Sequence, residues 1–192
     1  FFGKQSNSKD VSYRRLRVKL IRMLINTTFF VDLNQPMFNE RYKAYYNCRR
    51  DAAAAYLMRT RGIRKATNYI LDQTLEQCLK FEFVDMVCEI TTDFLFAISH
   101  EGSDSNKHAY YKNILLVYEE KRTHEKKAKQ FADEVYQYYT VQKSPNAEIS
   151  KLANQYYEEL SSIEISKTTY QFRKDLHRLN MVRFFAQGDY RG

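Results

Sequence analysis

Residues 66–96 read ATNYILDQTLEQCLKFEFVDMVCEITTDFLF, and the spacing of the apolar residues in this stretch decides the fold class. Ala66, Ile70, Leu71, Leu75, Cys78 and Leu79 recur at the three- and four-residue intervals that place side chains on one face of an α-helix. A short turn around Phe81-Glu82-Phe83 interrupts the pattern. It restarts with Val84, Val87, Cys88, Thr91, Leu95 and Ile98. Phe83, Met86, Ile90, Phe94 and Ala97 add a second apolar face, and a helix apolar on two sides is sandwiched between neighbours. Asp85, Glu89 and Asp93 are left for its exposed stripe. Two helices joined by so short a turn run antiparallel.

The same reading extends in both directions. The chain has 192 residues with only five Gly and two Pro, and Gly62, Gly102, Pro145 and Gly188 fall 40, 43 and 43 residues apart. Even spacing of helix breakers predicts stacked helix pairs. After a lead-in over residues 1–9, capped by Ser8 or Asp10, the first helix runs to about Phe29, with Tyr13, Leu16, Leu20, Met23 and Leu24 on one stripe. Asn34-Gln35-Pro36 breaks the chain. The second helix covers Met37 to Arg61, carries the small residues Ala52 to Ala55 for close helix approach, and ends at a left-handed Gly62. No Gly or Pro occurs from Asn106 to Val141, which predicts one long helix with Tyr110, Tyr111, Ile114, Leu115 and Tyr118 at one end and Phe131, Val135, Tyr136 and Tyr139 at the other. Its middle, EEKRTHEKK over Glu119–Lys127, has no apolar residue and is expected to be bathed in solvent; a break near Thr123 is the alternative. Ser144-Pro145-Asn146 starts a helix striped by Ile149, Leu152, Ala153, Tyr156, Leu160 and Ile163. Phe172, Leu176, Leu179, Val182 and Ala186 line a last one, which stops at Gly188. The expected fold is all-α, about seven helices stacked as antiparallel hairpins, with approximate units 10–62, 63–102, 103–145 and 146–192 in a single domain.

Composition narrows the class. Hydrophobic residues make up 44% and aromatic residues 15% of the chain, which excludes a disordered segment. No apolar run reaches the length of a membrane span, so no membrane partner is expected. Phe1-Phe2-Gly3-Lys4 does not resemble a signal peptide, and the missing initiator Met suggests part of a longer chain. Cys48, Cys78 and Cys88 are odd in number and lack a CxxC pair, which predicts buried thiols in a reducing, cytoplasmic setting.

The net charge of +8 is unevenly spread. Residues 1–65 carry +11, residues 66–105 carry −7 and residues 106–192 carry +4. Arg15, Lys19 and Arg22 share a helix face, and Arg49, Arg50, Arg59, Arg61, Arg64 and Lys65 cluster near the end of the second helix. Tyr42, Tyr45, Tyr46 and Tyr56 are interleaved with them. Cations beside aromatic rings can neutralise phosphates and stack bases, so these nine side chains are a candidate nucleic-acid surface. The alternative is that the cations form a solvated face or meet the acidic unit 66–105, and that the tyrosines pack helices.

No catalytic pattern emerges. His100, His108, His124 and His177 sit in no metal-ligating spacing, with His124 expected in solvent. The glycines are isolated, so no phosphate loop forms. Cys78 and Cys88 lie on apolar stripes without an activating neighbour. Neither an enzyme, a metal nor a cofactor is predicted.

The opening YRRLRVKLIRMLINTTFF from Tyr13, the hairpin quoted above and the long helix after Gly102 resemble the helical-repeat segment of tetratricopeptide-like bacterial proteins. The Gly188-Asp189-Tyr190 turn is similar to the turn within such a repeat. The chain departs from the tetratricopeptide pattern in having no Trp and units nearer 40 residues. The resemblance implies an α-solenoid that binds a protein or peptide, or scaffolds a larger chain, and brings no catalytic or ligand residues with it.

Overall fold

The computed structural model describes residues 11–27, 32, 33, 35–101, 105–142 and 147–187. These form seven α-helices, one 3-10 turn and no strand. The helices are α1 (Val11–Thr27), α2 (Glu40–Thr60), α3 (Arg64–Lys80), α4 (Val84–Glu101), α5 (Ser105–Gln142), α6 (Ala147–Ser161) and α7 (Tyr170–Gln187), with the 3-10 turn at Ile165–Lys167 before α7. The caps expected at Ser8 or Asp10, and the turns expected at Asn34, Gly102, Pro145 and Gly188, lie outside the described residues. Pro36 lies in a turn closed by Phe38 N–H donating to the Gln35 carbonyl at 3.1 Å. That turn delays α2 until Asn39, whose side-chain oxygen accepts from Tyr42 N–H and caps the helix.

Two three-residue turns set the path from α2 to α4. At the first, Gly62 has φ 75°, its N–H donates to the Arg59 carbonyl at 2.9 Å, and Ile63 N–H donates to the Met58 carbonyl at 3.1 Å. This is the left-handed closing motif expected at a helix C-terminus. The second turn repeats it: Glu82 donates to the Leu79 carbonyl at 3.3 Å and Phe83 to the Cys78 carbonyl at 2.9 Å. The left-handed residue there is Glu82, at φ 54°, not glycine. A residue with a Cβ meets steric cost in that conformation. Its carboxylate offsets the cost by accepting from Tyr170 N–H at 2.7 Å, at the free N-terminus of α7, and by facing Arg173 at 3.6 Å.

The first core lies among α2, α3, α4 and the first half of α5. Leu71, Cys78, Met86, Val87 and Ile90 are almost wholly buried there, with Tyr111, Ile114 and Tyr118 of α5 packed against them. Full burial of each large aliphatic side chain is worth about 1.5–3 kcal/mol. Ala55 has no exposed surface, and Thr67 on α3 donates towards its carbonyl at 3.4 Å while bonding the Ile63 carbonyl at 2.9 Å. The small residues thus do what their run predicted, letting α2 and α3 approach closely. Phe94 stacks on Tyr111 at 4.7 Å between ring centres, joining α4 to α5.

The second core lies among the rest of α5, α6 and α7. Ala128, Ala132, Val135, Ile149, Ala153, Leu160, Phe172, Leu179 and Val182 are buried in it. The stripes expected for the last two helices supply most of these residues. On α5, however, Ala128 and Ala132 are the close contacts, and their weak hydropathy hid them among the charges of the sequence.

α5 is therefore one unbroken helix, about 57 Å long, shared by both cores. Its middle is not bathed in solvent, as the absence of apolar residues suggested. Lys167 pairs with Glu120 at 2.9 Å, His124 Nδ1 lies 3.2 Å from the Lys167 carbonyl, and the Thr169 hydroxyl donates to Glu125. Thr169 also caps α7, accepting from Phe172 N–H at 3.2 Å. Part of the polar run is thus the seat of the turn that enters α7, while Arg122 pairs with Glu119 within the run and Lys127 with Glu159 of α6. A second correction concerns the pair expected over residues 10–62. α1 and α2 do not form a packed hairpin, because the apolar residues of α2 are taken by α3 and the described side chains of α1 are exposed.

Two outcomes follow. Ala55→Leu leaves no room between α2 and α3, and urea unfolding should show a loss of about 1–3 kcal/mol. Burial raises the Glu125 carboxyl above its ordinary value, against the opposing hydrogen bond from Thr169. A carboxyl raised in the folded state favours folding only when protonated, so that stability is lost as pH rises through the raised value. Glu125→Gln should therefore raise the melting temperature at pH 7, and the gain should vanish near pH 4.

Candidate binding surfaces

The nine cations singled out from the sequence separate into three groups. The first group, Arg49, Arg50 and Arg59 on α2, is partly exposed and paired with carboxylates. Arg49 on α2 lies 3.7 Å from Glu89 of α4 and donates to the Tyr45 hydroxyl at 3.2 Å. Arg59 lies 3.2 Å from Asp93, and Arg50 pairs with its neighbour Asp51 at 2.9 Å. Helical spacing puts Arg49, Tyr56 and Arg59 along one side of α2, and Glu89 and Asp93 one turn apart on α4. The acidic stripe of α4 is thus not a free solvated face. It meets the basic side of α2, the complementarity that uneven charge allowed as an alternative. Tyr56 completes it by donating to Glu89 at 3.2 Å, and burial together with the neighbouring Asp93 pushes its phenol far above the ordinary range.

The tyrosines follow the same logic. Tyr42 stacks on Phe38 at 4.9 Å, and Tyr45 meets the edge of Phe83 at 5.2 Å. Arg41, which the charge count had not singled out, sits over both Phe83 and Tyr170, at 4.8 and 4.5 Å from the ring centres, and donates to the Phe81 carbonyl. It ties α2 to the α3–α4 turn and to α7. Only its position beside the aromatic turn could have revealed this role, and no spacing rule reaches across 129 residues from Arg41 to Tyr170.

The second group, Arg61, Arg64 and Lys65, is exposed at the α2–α3 turn. There Arg59, Arg64, Thr67, Asn68, Asp93 and Phe96 line a recess of about 400 Å³, with Phe96 64% exposed. The third group, Arg15, Lys19 and Arg22, lies on α1, which has no extended packing against α2 or α3.

A further opening, which the charge pattern did not reveal, runs between α2 and α3. It has a volume of about 550 Å³. Ala44, Cys48, Ala54 and Ile70 supply its apolar lining, and Asn47, Gln73 and Gln77 its amides, with Asp51 and Glu76 as carboxylates. It exists because the alanines bring the two helices together at one level while longer polar residues stand at the rim.

The three cysteines are buried. Burial pushes the Cys88 thiol up to about 11, and the hydrogen bond with Cys48, together with burial, raises Cys78 further. Thiols held protonated at neutral pH are poor nucleophiles. His124, expected in solvent, is half-buried against the Lys167 carbonyl and the Phe172 ring. Among the described residues no group of His, Cys, Asp or Glu is arranged to hold a metal ion, and no helix is long and apolar enough to cross a membrane.

No protein-family model matches the chain, and no curated protein or solved structure shows significant similarity to it.

The burial of the thiols has a direct readout. At pH 8 a maleimide should modify Cys48, Cys78 and Cys88 at least about a hundredfold more slowly in the native chain than in urea, since reaction requires opening of the first core.

Proposed function

We propose that the chain is a non-enzymatic interaction scaffold of the tetratricopeptide-like, α-solenoid kind, and that the groove between α2 and α3 receives a peptide segment of a protein partner. The observation that carries this reading is the lining of that groove. Three side-chain amides, Asn47, Gln73 and Gln77, each offer a donor and an acceptor to a peptide backbone, over a floor of Ala44, Cys48, Ala54 and Ile70. Glu76 at the rim favours a segment bearing a cation, while Asp51 is paired with Arg50. The repeated three-residue turns at Gly62 and Glu82 support a stacked arrangement of α2, α3 and α4. Burial that keeps the Cys78 and Cys88 thiols protonated argues against these two as nucleophiles.

Nucleic-acid binding by a single basic surface receives less support. Arg49 and Arg59 are engaged with Glu89 and Asp93, and Tyr42 and Tyr45 pack against the Phe38 and Phe83 rings.

Peptides selected from a random displayed library against the native chain test the scaffold reading. Enriched peptides should bind with micromolar affinity, and Ala54→Trp, which fills the groove from its half-buried wall, should weaken them at least about tenfold with the melting temperature retained. Failure to enrich any peptide, or binding indifferent to Ala54→Trp, would remove the groove as the site.

A further inference from the structure

α1 stands apart from both cores. Tyr13, Leu16, Leu20, Met23 and Leu24 form one stripe along it, and they are 43%, 59%, 56%, 57% and 56% exposed. Val11, Val18 and Ile21 are exposed as well. Most helices in proteins owe their stability to packing of an amphipathic face, and an isolated helix of this length is marginal in water. The stripe therefore calls for a cover that α2–α7 do not supply.

The charges identify the cover. Arg14, Arg15, Arg17, Lys19 and Arg22 fall within α1, and it contains no Asp or Glu. Arg14, Arg15, Lys19 and Arg22 surround Val18 in a shallow recess of about 330 Å³. Among the described residues no carboxylate pairs with Arg15, Lys19 or Arg22. Helical spacing puts Lys19 and Arg17 at the two edges of the Leu16–Leu20–Met23–Leu24 stripe and Arg14, Arg15 and Arg22 on the far side around Val18, so that with the stripe facing an apolar layer the long cationic side chains stand at and above its boundary. A surface that is apolar within and anionic at its boundary satisfies both sets at once. A nucleic-acid duplex would meet the cations and leave the leucines in water. A second copy of α1 would bury the leucines and bring like charges together.

We infer that α1 is a membrane-surface element, lying in the plane of an anionic phospholipid bilayer with Leu16, Leu20, Met23 and Leu24 at the acyl boundary and Arg15, Lys19 and Arg22 against lipid phosphates. It lies on the bilayer and does not cross it, since no described helix is apolar and long enough to do so. This role is separate from the α2–α3 groove and stands or falls without it. The expectation of no membrane partner considered only spanning segments, which a basic amphipathic helix does not resemble.

The full chain should co-float with vesicles of phosphatidylcholine containing about 30% phosphatidylserine, and weakly or not at all with phosphatidylcholine alone. The variant Arg15→Ala/Lys19→Ala/Arg22→Ala should lose partitioning roughly a hundredfold, at about fivefold per cation near the surface. The variant Leu16→Ser/Leu20→Ser/Leu24→Ser should lose it to a similar degree. Because α1 packs on neither core, both variants should keep the parent melting temperature, which separates lost binding from lost folding. Loss with the alanine variant alone would mean adsorption by charge only and overturn the inference. So would equal binding to uncharged vesicles. Binding to duplex DNA or RNA without vesicle binding, or self-association abolished by the serine variant without vesicle binding, would assign α1 to those partners instead.

Discussion

The continuity of α5 is the constraint on which the rest of the structure depends. A helix shared by two cores must present an apolar stripe to each, and the stretch between them has to be polar without being idle. Glu120, His124 and Glu125 meet this demand by receiving the chain as it enters α7: a lysine, a backbone carbonyl and a threonine hydroxyl find partners there. The arrangement is economical because Thr169 also caps α7. From the other side, Glu82 reaches the same helix end from the α3–α4 turn. The start of α7 is thereby held by residues of α3–α4, α5 and α2, the last through Arg41 over Tyr170.

Charge in this chain works at two scales. Within the fold, α2 and α4 meet through Arg49–Glu89 and Arg59–Asp93, pairs that are partly solvated and individually worth little, about 0–1 kcal/mol. Their value lies in orientation: two cations set about three turns apart on one helix select one register against the carboxylates of the other. Outside the fold, α1 concentrates five cations and no carboxylate. A net count over the first 65 residues merges these two uses, and only the placement of each side chain separates them.

Much of the architecture was legible because helices announce themselves by period and by breakers. The hairpin over residues 66–96, the close approach at Ala55 and the left-handed Gly62 were all readable from residue type and spacing. What escaped was carried by residues without a strong signature. Ala128 and Ala132 bury completely, yet an alanine between Lys127 and Lys129, or one beside Asp133, reads as surface. Glu82 occupies a position that favours glycine, because distant partners hold it there, and distant partners leave no local trace. The charge pattern suggested a basic stripe on α1 and a basic cluster near the end of α2, and it left open which cations the carboxylates of α4 would meet, namely Arg49 and Arg59. The α2–α3 groove had no signature at all, since amides and small residues are as common on plain helix faces.

A continuous helix of about 57 Å has a further consequence as a measure of distance. Unlike a flexible connection, it fixes how far apart the two bundles can carry whatever they hold. Since each bundle packs on about half of the helix, the interval between their centres is roughly half its length, and a ligand with two attachment points gains only when its own span agrees with that interval. Inserting or removing residues in the Glu119–Lys127 stretch would not only change this interval but rotate one bundle about the other by about 100° per residue, so the helix sets facing as well as span. In that sense α5 is a ruler with a defined twist, and the two halves of the molecule are graduations on it.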